Sequence, residues 1–289
     1  MDLTKQSFEI AENGIPSSVY ETFLGGKGLG TYLLYQYNPP GVDPLSPENR
    51  IIFATGPVSG SRIWGSCRYG VFTKSPQTML YSESYSGGKA PEAIDSAGYD
   101  AIIISGKSTA PTVLSIHPKG LEPAGYDPRV LKGMGLAYAT SDRGACHLRA
   151  TFYKPELSGV ISPEQTQGKA QVFVDYEDRL TLFDAMVFCR FYRDMYMWEK
   201  LEEVIGMLTG LKVDKSRLQE MAASISTLVR RFNIREGMLP EDDSLSAGLF
   251  QKLKGAENQL TQDELDYMLK DYCQLRGWDE TGVPPGDAI

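Results

Sequence analysis

The string LFDAMVFCRF, Leu182 to Phe191, sets an aspartate and a cysteine five positions apart in a largely apolar run. A buried carboxylate is costly unless N–H donors meet it, so Asp184 needs donors from elsewhere. A thiolate suits iron or zinc, but one cysteine makes no metal site. On its own terms Cys189 reads as a small buried hydrophobe. SDRGACHLRA, Ser141 to Ala150, gathers Arg143, Cys146, His147 and Arg149. A histidine among cations and small residues can give or take a proton near neutral pH, and the plainer reading is a structural loop histidine.

Three further strings carry possible anion chemistry. GSCRYGVFTKSP puts Arg68 and Lys74 on one face of an alternating strand, where they could hold phosphate or simply be solvated. SYSGGKAPE carries Gly87, Gly88 and Lys89 in what reads as a turn. LGGKGLG, Leu24 to Gly30, places four glycines around Lys27. Glycine lets backbone N–H groups approach an anion closely. No strand–turn–helix context makes this a Walker loop or a dinucleotide fingerprint, so a tight turn or close helix packing competes.

The elements that must position these residues change character along the chain. Residues 1–125 read as a β-rich domain with one early helix, SSVYETFLGGKGLGTYLLYQYN, opened by a capping-box pattern at Ser18 and Glu21. NRIIFATGPVSG, RYGVFTKSP, TMLYSESYSGG, DAIIISGKS and PTVLSIHP read as strands broken at Gly or Pro, with a short helix at PEAIDS. PKGLEPAGYDPRVLKGMG reads as a linker or seam. Residues 126–289 read as mainly helical. TLFDAMVFCRFYRDMYMWEKLEEVIGMLTG is dense in apolar positions and closed by Gly210. DKSRLQEMAASISTLVRRFNIREG shows apolar spacing of three and four, and TQDELDYMLKDYCQLRGW opens with a Thr261–Glu264 capping box. The expected class is α+β: a β-rich N-terminal base followed by a mainly α-helical C-terminal region.

Composition narrows the function classes. Of 289 residues, 42% are hydrophobic and 23% charged, which is ordinary for a globular protein. A net charge of -8 argues against a nucleic-acid partner, which wants a basic surface. No apolar run nears the ~20 residues a membrane helix needs. The N-terminus shows no signal-peptide pattern, and four scattered cysteines without a CxxC point to a reducing, cytoplasmic setting rather than a disulfide framework.

Seven strings, FLGGKGLG, TGPVSGS, RYGVFTKSP, AGYDAIIISGKS, GLAYATSDRGACHLRA, RFNIREG and LRGWDETGVP, resemble in content and order the tungsten-containing aldehyde ferredoxin oxidoreductase family. The resemblance implies a tungsten (or molybdenum) bis-pyranopterin beside a 4Fe-4S cluster, oxidation of an aldehyde to a carboxylic acid, and ferredoxin as electron acceptor. It implies that Arg68 and Arg149 lie at the pterin, and that the turn at Gly87 and Gly88 lies near the phosphate-bridging magnesium. Tyr85 stands there where the family has asparagine. By the same resemblance His147 lies near the substrate pocket as the catalytic residue, Asp184 accepts from pterin N–H groups, and Cys189 is a cluster ligand. The family's CxxCxxxC run, which carries the other three cluster thiolates, has no counterpart here. The motifs pass from LSIHPKG almost directly to GLAYATSDRGACHL, placing a seam between Lys119 and Gly133. Two readings follow: an enzyme of this kind, its missing middle supplied by a second polypeptide, or a shortened, non-catalytic pterin-binding or scaffold relative. With the middle gone, Asp184 and Cys189 are expected to face a cavity or solvent, and an uncovered apolar face would favour a homo-oligomer.

Overall fold

In a computed structural model of the chain, every residue is described except 6, 8, 12, 13, 89, 109–125, 143–145, 253–257 and 287–289. Two helices open the described fold, α1 (Ser17–Phe23) and α2 (Gly26–Tyr37). Strands β1 (Ile51–Ala54), β2 (Arg68–Lys74) and β3 (Tyr81–Gly87), the short α3 (Ala90–Ser96) and β4 (Ala101–Ile104) follow. The sheet is antiparallel throughout, in the order β3-β2-β1-β4, with Ile52 opposite both Phe72 and Ile103, and Arg68 opposite Gly87. Helices α4 (Lys132–Ala139), α5 (Tyr153–Leu157), α6 (Lys169–Ala185), α7 (Trp198–Thr209), α8 (Lys215–Arg235) and α9 (Gln262–Leu275) make up the rest, with no strand among the described residues after β4. The α+β expectation holds.

Several local expectations are met by their own chemistry. Thr261 and Glu264 form the reciprocal box that opens α9: the Glu264 N–H donates to Thr261 Oγ1 at 3.3 Å, and the Thr261 N–H to Glu264 Oε2 at 2.9 Å. Gly210 closes α7 at φ 74°, the left-handed position that favours glycine. Asp214 caps α8 by accepting from the Arg217 N–H at 2.8 Å.

Others are corrected. The Ser18–Glu21 box does not form. Pro16, at φ -59°, occupies the N-cap and Ser17 starts the helix, so Ser18 already lies inside it. The single early helix breaks at Leu24, whose φ of 61° ends α1 before α2 begins. The apolar run from Thr181 to Gly210 is likewise interrupted. α6 ends at Ala185, a short 3-10 helix covers Arg190–Tyr192, and α7 begins only at Trp198. Part of the Gly/Pro-rich seam is helix, since Lys132–Ala139 is α4 with every residue buried. The expected strand PTVLSIHP lies outside the described residues.

Compaction follows a different division from residue 125. One unit takes Met1–Pro118 with Arg179–Glu236, and the other Lys119–Asp178 with Gly237–Ile289. The reason is the sheet's buried face. α8 turns Leu218, Met221, Ala222, Ile225, Leu228, Val229 and Phe232 inward at helical spacing, in the same core as Phe72 and Tyr81 of the sheet. A large apolar side chain buried this way contributes about 1.5–3 kcal/mol. The second unit has its own core around Met134, Phe152, Phe173, Leu265 and Met268.

Candidate functional site

The segment that ends α6 carries the two residues that opened the sequence question. After Asp184 the chain reverses at Val187, held at φ 58°, and the Phe188 N–H returns to the Phe183 carbonyl at 2.8 Å. A β-branched residue in the left-handed region is strained, and such strain persists only where the surroundings fix it. Three glycine turns do the fixing. A Cβ on Gly26 would lie 2.3 Å from the Asp184 carbonyl oxygen, and one on Gly56 would lie 2.8 Å from that of Ala185. The Gly65 carbonyl accepts from the Cys189 N–H at 3.0 Å. The glycines of LGGKGLG therefore serve close packing. Lys27, buried, pairs with Glu83 at 3.4 Å, and Glu83 also accepts from the Tyr81 and Tyr85 hydroxyls at 3.1 and 3.0 Å.

Asp184 has no exposed surface. It faces a guanidinium. Arg190 Nε donates to Oδ1 at 3.2 Å and Nη2 donates to Oδ2, a two-point fork. The expectation of a poorly satisfied half-site is thus wrong for Asp184, because Arg190 stands six residues on and the Val187 reversal brings it back. Cys189 is partly exposed and directly precedes the 3-10 helix. Arg68 Nη1 donates to the Phe188 carbonyl at 3.0 Å, and its guanidinium lies 4.7 Å from the Tyr85 ring centroid. Gly87 pairs with Arg68 across the sheet, while Gly88, at φ 98°, has open space where a Cβ would stand. Lys89 lies outside the described residues. Arg68, Gly87, Asp184 and Cys189 thus belong to one unit. Arg68 and Lys74 form neither a phosphate face nor a solvated one, since Lys74 is buried and paired with Glu236 at 2.6 Å.

His147 and Arg149 belong to the other unit. Arg149 is buried, with Nε 3.4 Å from Asp142 Oδ1. His147 lies 5.7 Å from the Tyr126 ring and 6.4 Å from Tyr153, and those two tyrosines stack at 3.9 Å. The Tyr138 hydroxyl donates to the Tyr126 carbonyl at 3.1 Å, and burial pushes Tyr138 up to about 12. Arg143 lies outside the described residues. Sequence reasoning overlooked Arg190, Glu83 and the Tyr126–Tyr153 stack. Arg190 was in plain view beside Cys189, whereas Glu83 is 56 positions from Lys27 and leaves no local signal.

The donor set can be matched against the groups the resemblance implies. A buried carboxylate that already receives a planar N–H fork fits a 2-aminopyrimidinone edge, so Asp184 suits a pterin. The 4Fe-4S cluster is not matched. No group of three or more His, Cys, Asp or Glu side chains placed for a metal occurs among the described residues, and Cys146 and Cys273 are buried in the other unit. Among the described residues no helix is long and apolar enough to cross a membrane.

Comparison with known proteins places these features in context. The model of the aldehyde ferredoxin oxidoreductase N-terminal domain matches residues 1–143, and that of domains 2 and 3 matches residues 78–289. The tungsten-containing aldehyde ferredoxin oxidoreductase of Pyrococcus abyssi (strain GE5 / Orsay) is 42% identical over 113 residues, 39% of this chain and 19% of that protein. The Pyrococcus furiosus enzyme of the same name is 43% identical over 100 residues, 35% of this chain and 16% of that one. An aliphatic sulfonate oxidoreductase, WOR-like subunit, of Pyrococcus furiosus is 34% identical over 125 residues, 42% of this chain and 19% of that protein. The matched stretches span about a fifth of these curated relatives, at most 19%. Among solved structures, the active site complex BamBC of benzoyl coenzyme A reductase in complex with 1,5-dienoyl-CoA superposes at a TM-score of 0.72. It is 14% identical, with 98% of this chain and 94% of that chain covered, a likeness of fold alone.

Proposed function

This chain belongs to the aldehyde ferredoxin oxidoreductase family, and on that premise we propose that it is the pterin-binding part of an enzyme that oxidises an aldehyde to a carboxylic acid. The observation that carries the reading is Asp184, a fully buried carboxylate whose backbone packs against Gly26 and whose two oxygens accept a planar N–H fork, here from Arg190. A tungsten (or molybdenum) bis-pyranopterin, when bound, supplies the two-electron chemistry that no side chain here can perform. Asp184 accepts from the ring N–H groups and fixes the ring's orientation. Arg68 ties down the Phe188 carbonyl and, through it, the residue that presents Cys189. The aldehyde and one water become the acid, two protons and two electrons. By the family resemblance His147 is the residue that would handle a proton, and ferredoxin the acceptor that would take the electrons one at a time. The thiolates missing beside Cys189 are supplied by a second polypeptide.

A second reading, a pterin-binding or scaffold relative without turnover, is favoured by one observation: no three-ligand metal group occurs among the described residues. Anaerobic purification, quantification of released pterin and of tungsten and molybdenum, and aldehyde-dependent reduction of a viologen dye separate the two. The enzyme reading expects bound pterin with metal, and dye reduction once a polypeptide carrying a CxxCxxxC run is added. Bound pterin with no turnover in any combination supports the scaffold, and absence of pterin overturns both.

A further inference from the structure

We propose that Arg190 is an internal occupant of the pterin socket, and that it must leave Asp184 before a pterin can enter. The inference rests on the pterin reading above and adds a gate to it. Both oxygens of Asp184 accept from one guanidinium, Nε on Oδ1 and Nη2 on Oδ2. The N–C–N unit of that guanidinium offers two parallel N–H donors in a plane. A 2-amino-4-oxopyrimidine ring offers the same arrangement, a ring N–H beside an exocyclic amino group. Arginine and pterin therefore present the same donors to the same acceptor, and one excludes the other.

The surroundings allow the exchange. Asp184 is rigid: it ends a helix, its carbonyl is packed against Gly26, and its side chain has no exposure. Arg190 lies nearer the surface. It sits in a three-residue 3-10 helix, its side chain retains 10% exposure, and the next residue, Phe191, is 90% exposed. Arg190 is buried but stands beside the exposed Phe191, so a long side chain there can turn its guanidinium out to water, while the carboxylate cannot follow. A buried carboxylate without donors would be strongly disfavoured, and Arg190 is a source of them that a pterin edge can replace.

A closed state that outweighs the open one by about ten to one weakens apparent affinity about tenfold, and removing the gate restores it. The test uses the purified chain with pterin-6-carboxylate, followed by its own fluorescence, and with lumazine, which carries a carbonyl in place of the amino group. Arg190→Ala is expected to bind pterin-6-carboxylate about tenfold tighter than the native chain, with Asp184→Asn/Arg190→Ala losing the gain and lumazine showing none. Arg190→Ala takes the two-point guanidinium away from Asp184, so its fold is checked by thermal unfolding in the presence of methylguanidinium. Methylguanidinium is expected to raise the unfolding temperature of this variant and not of the native chain, and pterin-6-carboxylate to displace it. If Arg190→Ala does not fold, Arg190→Lys keeps the charge but loses the planar fork and is expected to bind the pterin at intermediate strength. Equal pterin binding by the native chain, Arg190→Ala and Arg190→Lys overturns the gate and leaves the pterin reading standing. Weaker binding by the arginine variants overturns the gate by making Arg190 part of the ligand's site. No pterin binding in any variant overturns the gate and the reading beneath it.

Discussion

Replacing Glu83 by glutamine tests whether Lys27, the cation of the glycine-rich string, is structural. Both side chains are inside: Lys27 is 1% exposed and Glu83 has no exposed side-chain surface. Glutamine keeps the shape and one carbonyl acceptor for the Tyr81 and Tyr85 hydroxyls, so the change isolates the charge. It takes the Glu83 charge away from a buried ammonium, and removing one partner of a buried pair costs about 3–5 kcal/mol. At about 2–4 °C per kcal/mol for a unit of this size, the unfolding temperature drops by roughly 6–20 °C. Removing both charges, with Lys27→Met added to Glu83→Gln, brings stability back to within about 1–2 kcal/mol of the native chain, because the desolvation of both ions is relieved. Urea unfolding of the four proteins, followed by circular dichroism, gives the coupling energy, expected at about 2 kcal/mol or more. A Glu83→Gln variant that loses under about 1 kcal/mol, with additive effects in the double, would refute the reasoning and return LGGKGLG to the list of anion sites.

Gly26→Ala puts a Cβ 2.3 Å from the Asp184 carbonyl oxygen at φ 42° and is expected to cost more than about 3 kcal/mol in urea unfolding. Gly88→Ala, with open space at φ 98°, is expected to cost only about 1–2 kcal/mol of backbone strain. A pH effect is expected in the second unit. Burial raises Asp178 from its ordinary 3.8 to about 6, and Arg276 only partly offsets it. A carboxyl raised in the fold holds its proton more tightly folded than unfolded, so its contribution is complete below 3.8 and is lost as the pH climbs through about 6. Asp178→Asn, scanned by thermal unfolding across that window, is expected to flatten this decline, and an unchanged slope assigns it to other groups.

What the sequence disclosed depended on how far apart the interacting groups lie. The Thr261–Glu264 box and the Gly210 stop were legible because their partners sit within one helical turn. The same pattern at Ser18 misled because Pro16 had already set the helix start. Asp184 and Cys189 were identified as the residues to watch. The donor that meets Asp184 was missed because it depends on Val187 at φ 58°, a conformation no β-branched residue advertises. The interleaved units were illegible for a similar reason. The Tyr81 N–H donates to Asn233 Oδ1 across 152 positions, and nothing local to either residue announces the contact. The motif resemblance supplied what spacing could not, the family and its implied cofactor, and was silent on Arg190.

The central claim is that this chain holds the pterin side of the site and not the cluster side. Anaerobic reconstitution with iron and sulfide, followed by iron analysis and low-temperature EPR of the reduced protein, tests it most directly. The account predicts far fewer than the four irons of a cubane and no cubane signal, because Cys189 stands without the thiolates that a 4Fe-4S cluster needs. About four irons per chain, with a cubane signal that disappears in Cys189→Ser, would contradict it.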